Sequence, residues 1–289
     1  MNLTDYSEIR SLLARHGFRF SKALGQNFLT AAWVPEDIAE AACLDESTGV
    51  LEIGPGVGCL TRELSKRAGK VVSVELDRSL MPVLAETLTG CENVEVVFGD
   101  ILKQDIPALL DLTMPGLRRV VCANLPYNVT TPVLTALLSC GRFETITVMI
   151  QREVARRICA EANTSDYGAF GIFAQWHAQT ELLFDVPPSC FVPQPKVTSS
   201  VVRLKCRETP PARVKDEELL FKIVRAAFNQ RRKTLVNALA SQLPGVTKEQ
   251  AEKTLELLGY DTRIRGEALD LGGFAKIADK LFTIQNADL

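Results

Sequence analysis

Two turns hold the residues whose types and spacing can do chemistry. In "VCANLPYNVTTPVL", residues 121–134, a run that begins as a buried strand and ends as a helix is joined through Asn124, Leu125, Pro126 and Tyr127. Asn124 offers a side-chain carbonyl as an acceptor, and Leu125 a backbone carbonyl one residue later. Pro126 stiffens the turn and biases Leu125 away from helical geometry. Tyr127 adds a π-face on which a planar group can stack. In "LEIGPGVGCLTREL", residues 51–64, Gly54, Gly56 and Gly58 stand where a strand turns into a helix. Glycines there let backbone approach a ligand closely.

Three acids fall at strand ends around these turns. Glu52 precedes the glycines, Glu75 closes the next strand in "VELD", and Asp100 follows the third in "VVFGDIL". Glu75, twenty-one residues past Gly54, suits both hydroxyls of a ribose. That acid serves NAD and S-adenosylmethionine equally. The glycine spacing, GxGxG, departs from the dinucleotide pattern, whose third glycine falls at Cys59, and this weakens a hydride-transfer reading. A carboxylate at Asp100 can accept an adenine amino group or simply cap a helix, and Glu52 can lie near a methionine ammonium or orient the glycine loop.

Such residues need a sheet whose carboxyl edge collects them. From residue 48 short β-rich runs ("VLEI", "VVSVEL", "VEVVF", "RVVCAN", "TITVMI") alternate with helical stretches, the pattern of a parallel sheet wrapped by helices. "TELLFDV" and "SSVVRLKC" add two strands joined by the Pro-rich "PPSCFVPQPKV", a connection that favours an antiparallel pairing. The expected fold class is therefore α/β, a mostly parallel seven-stranded sheet with one antiparallel strand. After Cys206 the charged "RETPPARVKDEE" leads into a region without strand signals. A boundary near residue 207 divides a catalytic domain, 1–207, from a small all-helical domain, 208–289.

Composition limits the partners. The 289 residues carry 33 Lys plus Arg against 35 Asp plus Glu, a formal net charge of −2, so no global field draws the chain to nucleic acid. Local basic clusters remain: Arg10, Arg15, Arg19 and Lys22; Arg152, Arg156 and Arg157; and Arg231, Arg232 and Lys233. Arg225 and Arg232, seven apart, are expected on one helix face opposite the apolar stripe Leu220, Val224, Ala227, Phe228, Leu235 and Leu239. Eight scattered cysteines without a CxxC pair, with only His16 and His177 as imidazoles, point to no metal site. No run approaches the length of a membrane span, and the charged N-terminus is unlike a signal peptide; a cytoplasmic location is expected.

Taken together, "SKALGQNFL", "LEIGPGVGCLT", "VELD", "GDIL", "NLPYNVTTPVL", "MIQREVARRI", "VPPSCFVPQPKVTSSVVRL", "AFNQRRKTLVNAL" and "IRGEALDL" resemble the ribosomal RNA adenine dimethylase family, in its small-subunit dimethyladenosine transferase branch. The resemblance implies a Rossmann-like fold that moves methyl groups from S-adenosylmethionine to the exocyclic nitrogen of adenine, leaving S-adenosylhomocysteine. It implies that Asn124 and the Leu125 carbonyl grip the target amine, that the base stacks on Tyr127, with Phe191 closing the opposite face, and that Pro126 shapes the turn. Cofactor contacts fall to Asn27, Leu29, Gly54, Gly56, Gly58, Glu75, Asp100 and Asn124, with Gln26 near the mouth. Arg225, Arg231, Arg232 and Lys233 are the expected RNA contacts. The implied partner is small-subunit rRNA within a pre-30S particle, met by a monomer without membrane contact. Gly266 departs from the family pattern, which has a small alanine there. Two rivals share the fold, a large-subunit adenine methylase of the macrolide-resistance type and a non-catalytic assembly or transcription factor.

Overall fold

The computed structural model describes residues 1–21 and 25–287. Lys22 of the N-terminal basic set, with Ala23 and Leu24 of "SKALGQNFL", lies outside the described residues. In chain order the strands are β1 (Phe28–Leu29), β2 (Thr48–Ile53), β3 (Lys70–Glu75), β4 (Val94–Phe98), β5 (Arg118–Asn124), β6 (Thr145–Gln151), β7 (Ala178–Val186), β8 (Phe191–Val192) and β9 (Ser199–Cys206). The helices are α1 (Tyr6–Arg15), α2 (Trp33–Ala41), α3 (Cys59–Ser65), α4 (Met81–Thr87), α5 (Ile106–Thr113), α6 (Thr130–Ser139), α7 (Arg152–Ile158), α8 (Ala169–His177), α9 (Glu217–Asn229), α10 (Leu235–Gln242), α11 (Lys248–Leu257) and α12 (Leu271–Ala287).

Seven strands form one sheet in the order β4-β3-β2-β5-β6-β9-β7. β2 runs parallel to β3 and β5, β3 to β4, and β5 to β6, while β9 is antiparallel to β6. Every residue of β2 is buried, and β4 at the edge is only partly so, which explains why the central strands read as continuous apolar runs. β2, β3 and β4 succeed one another outward, then the chain returns to place β5 on the other side of β2. That reversal is a topological switch point, where open α/β sheets bind ligands beyond the strands' carboxyl ends. A separate two-stranded ladder, β1 with β8, pairs Phe28 with Val192 and Leu29 with Phe191.

The chain forms two compact units, one of residues Met1–Ala155 with Thr180–Cys206, the other of Arg156–Gln179 with Arg207–Leu289. The expected division assigned 156–179 to the catalytic domain; the structure groups them with the helical unit. The reason is apolar burial: Tyr167, Ile172 and Trp176 share one core with Leu220 and Ile223 of α9 and Phe274 of α12, and the Tyr167 hydroxyl donates to the Leu269 carbonyl at 2.9 Å. A second correction concerns α9. Read as one stretch, "DEELLFKIVRAAFNQRRKTLVNALASQL" is broken here at Gln230, and α10 restarts behind the N-cap Thr234, whose hydroxyl accepts from the Asn237 amide. Arg232 thus lies in the connection and does not share a helix face with Arg225.

Candidate functional site

The two turns picked out by residue type meet at the switch point. After β2 the chain takes three left-handed glycines, with φ of 71° at Gly54, 60° at Gly56 and 89° at Gly58. Gly54 donates its amide to Val74 O at 2.9 Å, tying the loop to β3, and Gly58 is the N-cap of α3. At Gly56 space also counts, because a Cβ there would come within 3.1 Å of the Phe28 ring. Gly54, Gly56, Glu75, Asp100, Asn27, Leu29 and the turn Asn124 to Tyr127 line one cavity whose empty volume, mouth included, is about 1090 Å³, whereas Gly58, expected as a cofactor contact, does not line it and faces Thr87 and Leu88 instead.

The three acids differ in what they still offer. Glu75 is 6% exposed; one carboxylate oxygen accepts from the Asp77 amide at 2.7 Å and the other from the Gly56 amide at 3.4 Å. An ionised carboxylate has about four acceptor sites, so capacity remains on each oxygen for a pair of ribose hydroxyls. Burial pushes the Glu75 carboxyl above the usual carboxylate range, against those backbone donors. Glu52, 1% exposed, plays a different part, for one of its oxygens takes hydroxyl bonds from Ser73 at 2.6 Å and Thr61 at 2.7 Å. It thereby joins β2, β3 and α3 at the cavity floor, and burial pushes it up to about 7. Asp100 is a cap: Oδ1 accepts from the Leu102 amide at 3.0 Å, while the residue still lines the cavity beside Ile101 and Leu102. Capping and a ligand contact are compatible, because Asp100 caps with one oxygen only.

One residue missed in the sequence, Asp77, stands beside these acids. Asp77 orients Glu75 with its amide, and its Oδ2 accepts from Gln26 Nε2 at 2.7 Å. This bond ties the segment ahead of β1 to the end of β3. Gln26 Oε1 in turn accepts from the Ser21 amide at 3.0 Å. The signal was present in "VELDRS", where Asp77 also caps a short turn by accepting from the Ser79 amide.

In the second turn the Asn124 amide nitrogen donates to the Asn27 backbone carbonyl at 3.3 Å. With its nitrogen so engaged, the Asn124 carbonyl is the group left to serve as an acceptor in the cavity. The Leu125 amide donates to Met149 O at 3.1 Å, extending the β5–β6 ladder by one residue, and the Pro126 carbonyl accepts from the Val129 amide and the Thr130 hydroxyl, both at 3.2 Å. Tyr127 is half-buried, its hydroxyl 2.7 Å from Ser199 Oγ. Phe191 departs from the expected role. Its β8 pairing with Leu29 turns it into a core of which Leu29, Val34, Ile38 and Cys190 are part, it is 2% exposed, and it does not line the cavity.

The basic residues divide likewise. Arg231 is committed inside its own unit, donating from Nε to Glu267 Oε2 at 2.7 Å, from Nη1 to Ser165 O at 2.8 Å and from Nη2 to Thr164 O at 3.1 Å. That triple clamp gives Arg231 a structural part inside the helical unit, while its side chain stays 38% exposed. Arg225, Arg232 and Lys233 are exposed. Arg15 is paired with Glu86, and Arg152 lies 3.6 Å from Asp185. Among the described residues no His, Cys, Asp and Glu group is arranged to hold a metal ion, and no helix is long and apolar enough to cross a membrane.

Comparison with known proteins gives this geometry a lineage. Residues 17–271 match the family model described as ribosomal RNA adenine dimethylase. The chain is 44% identical over 279 residues to ribosomal RNA small subunit methyltransferase A of Geobacillus thermodenitrificans, covering 95% of both chains. It is 45% identical over 292 residues to the protein of that name from Clostridium perfringens, covering 99% of this chain and 100% of that one. Among solved structures it is similar to a dimethyladenosine transferase from Plasmodium falciparum, with a TM-score of 0.72 at 27% identity over 86% of this chain and 95% of that one. It is also similar to the 23S rRNA methyltransferase ErmE, with a TM-score of 0.67 at 28% identity over 88% and 99%. With the glycine turn, the ribose-type acid and the Asn-Leu-Pro-Tyr turn on one cavity, the chain belongs to the ribosomal RNA adenine dimethylase family and is an S-adenosylmethionine-dependent rRNA adenine methyltransferase.

Proposed function

We propose that the chain dimethylates two adjacent adenosines near the 3′ end of small-subunit (16S) rRNA at N6, working as a cytoplasmic monomer on a pre-30S particle. The observation that carries the chemistry is the Asn124 amide, whose nitrogen is held by the Asn27 carbonyl, leaving its own carbonyl to receive an amine. The choice of the small subunit is supported by relatives of that name at 44% and 45% identity along nearly the whole chain, against 28% to a large-subunit enzyme. A near-neutral charge balance agrees, since it favours several modest contacts over one strongly basic groove.

The site fits S-adenosylmethionine through the remaining acceptor capacity of Glu75 for ribose hydroxyls, the Asp100 turn for the adenine, and the backbone of Gly54 and Gly56 for close approach. When bound, the cofactor supplies a methyl group on a sulfonium, an electrophile strong enough that no base need act before attack. What the chain must do is aim a weak nucleophile. The lone pair of adenine's amino nitrogen is delocalised into the ring, and holding both amino hydrogens on the Asn124 side-chain carbonyl and the Leu125 backbone carbonyl turns that pair toward the methyl carbon. Tyr127 holds the flipped base by stacking, a contact of about 1–3 kcal/mol per base. Positioning and preorganised dipoles therefore carry the rate, and the proton leaves after transfer. Mass mapping of rRNA after incubation of the chain with unmethylated small subunits and S-adenosylmethionine tests the proposal. Two adjacent dimethylated adenosines near the 3′ end are expected; unmodified small-subunit rRNA beside methylated large-subunit rRNA in a parallel incubation would overturn it.

A further inference from the structure

Stacking needs only the ring of Tyr127, yet its hydroxyl is engaged. The ring lies on the turn that follows β5, and its tip reaches past β6 to meet Ser199 Oγ, at the first residue of β9, at 2.7 Å. Ser199 itself is 0% exposed and stands opposite Gln151 in the β6–β9 ladder. Its neighbours are pinned on both sides. Thr198 O accepts from the Arg152 amide at 3.0 Å, and the Ser200 hydroxyl donates to Asp185, which lies 3.6 Å from the Arg152 guanidinium. The anchor is therefore held in the sheet, whereas the Tyr127 ring hangs from a turn, and tying its tip restrains the swing of the ring about its Cα–Cβ bond.

We infer that Ser199 is a positioning residue of the reaction: its hydroxyl ties the tip of Tyr127 to β9 and so fixes the direction of the ring axis, and with it the place of the face on which the target adenine stacks. Deepening the stacking reading above, this also explains why a tyrosine stands where a phenylalanine would supply the same π-face. The hydroxyl acts as a tether and takes no part in proton transfer. Burial in addition pushes the Tyr127 phenol above its ordinary value, so phenolate is scarce at neutral pH.

A double-mutant cycle tests the tether. Ser199→Ala and Tyr127→Phe should each slow single-turnover methylation of small subunits by roughly three- to ten-fold, the worth of one hydrogen bond. Cofactor affinity should be unchanged, and the double variant should be no slower than either single one. If Ser199→Ala acts through folding, it will slow the Tyr127→Phe chain as much as the wild type and weaken cofactor binding, and the tether is overturned. A Ser199→Ala chain at the wild-type rate overturns it equally. Tyr127→Ala separates the underlying reading: if that chain is as active as wild type, stacking and tether fall together, whereas a dead Tyr127→Ala beside a fully active Ser199→Ala removes the tether alone.

Discussion

Glu52 and Glu75 are both buried carboxylates at the carboxyl edge, yet their side chains imply opposite experiments. Glu75 retains acceptor capacity toward the cavity, so Glu75→Ala should weaken S-adenosylmethionine binding by about 1.5–3 kcal/mol, the range for a hydrogen bond to a charged group. Calorimetry on the folded variant checks it, and unchanged affinity would remove Glu75 from the site. Glu52 has one oxygen engaged by Ser73 and Thr61 at the cavity floor, joining three elements, and its effect is read in stability. Its folded-state pKa of about 7 lies above the ordinary 4.5, so between those values the folded chain holds a proton that the unfolded chain has lost. The contribution of Glu52 to stability is full below about pH 4.5 and is lost as pH rises toward 7, on the order of 3 kcal/mol. Glu52→Gln, which copies the protonated form, should lose that slope, so urea midpoints at pH 5 and pH 8 should differ less than in the wild type. The residue types were legible in the sequence; their separate roles were not, because they depend on Thr61 and Ser73 reaching Glu52 from other elements.

Elements decide which of the recognised residues meet. The central parallel strands could be read from continuous apolar runs because they are buried on both faces, whereas the edge strands β4 and β7 are only partly buried. The two-residue strands β1 and β8 could not be read, since so short a ladder has no period. That ladder is what takes Phe191 away from the cavity and brings "GQNF" onto it. The α9 break was hidden for a related reason, as "FNQRRKT" contains neither glycine nor proline and only the cap at Thr234 marks the restart. Arg231 holds that break in place by bonding two carbonyls of the 164–165 segment and Glu267. Arg231→Ala should therefore destabilise the helical unit by about 1–3 kcal/mol, read as a shift of its thermal unfolding, whereas Arg232→Ala should leave unfolding unchanged. Gly266 also belongs to this scale: a Cβ there would lie 2.5 Å from the Ala227 Cβ, so its departure from the family alanine is matched by close packing on α9.

At the scale of the whole molecule, charge is balanced and recognition must be local. Reversing Arg232 and Lys233 together to Glu should weaken particle binding and flatten its dependence on salt, because two phosphate contacts are lost, and should leave cofactor affinity intact. Methylation at the wild-type rate across a salt series would show the pair to be a solvated surface. The share of 156–179 in the helical unit was not legible, because its burial partners lie on α9 and α12, far along the chain. The central claim is that the chain catalyses by aiming an amine with the turn after β5, and single-turnover methylation of small subunits by Asn124→Ala tests it most directly. The account predicts a rate roughly a hundred- to a thousand-fold below wild type with cofactor affinity and particle binding unchanged; a rate near wild type with both bindings intact would contradict it.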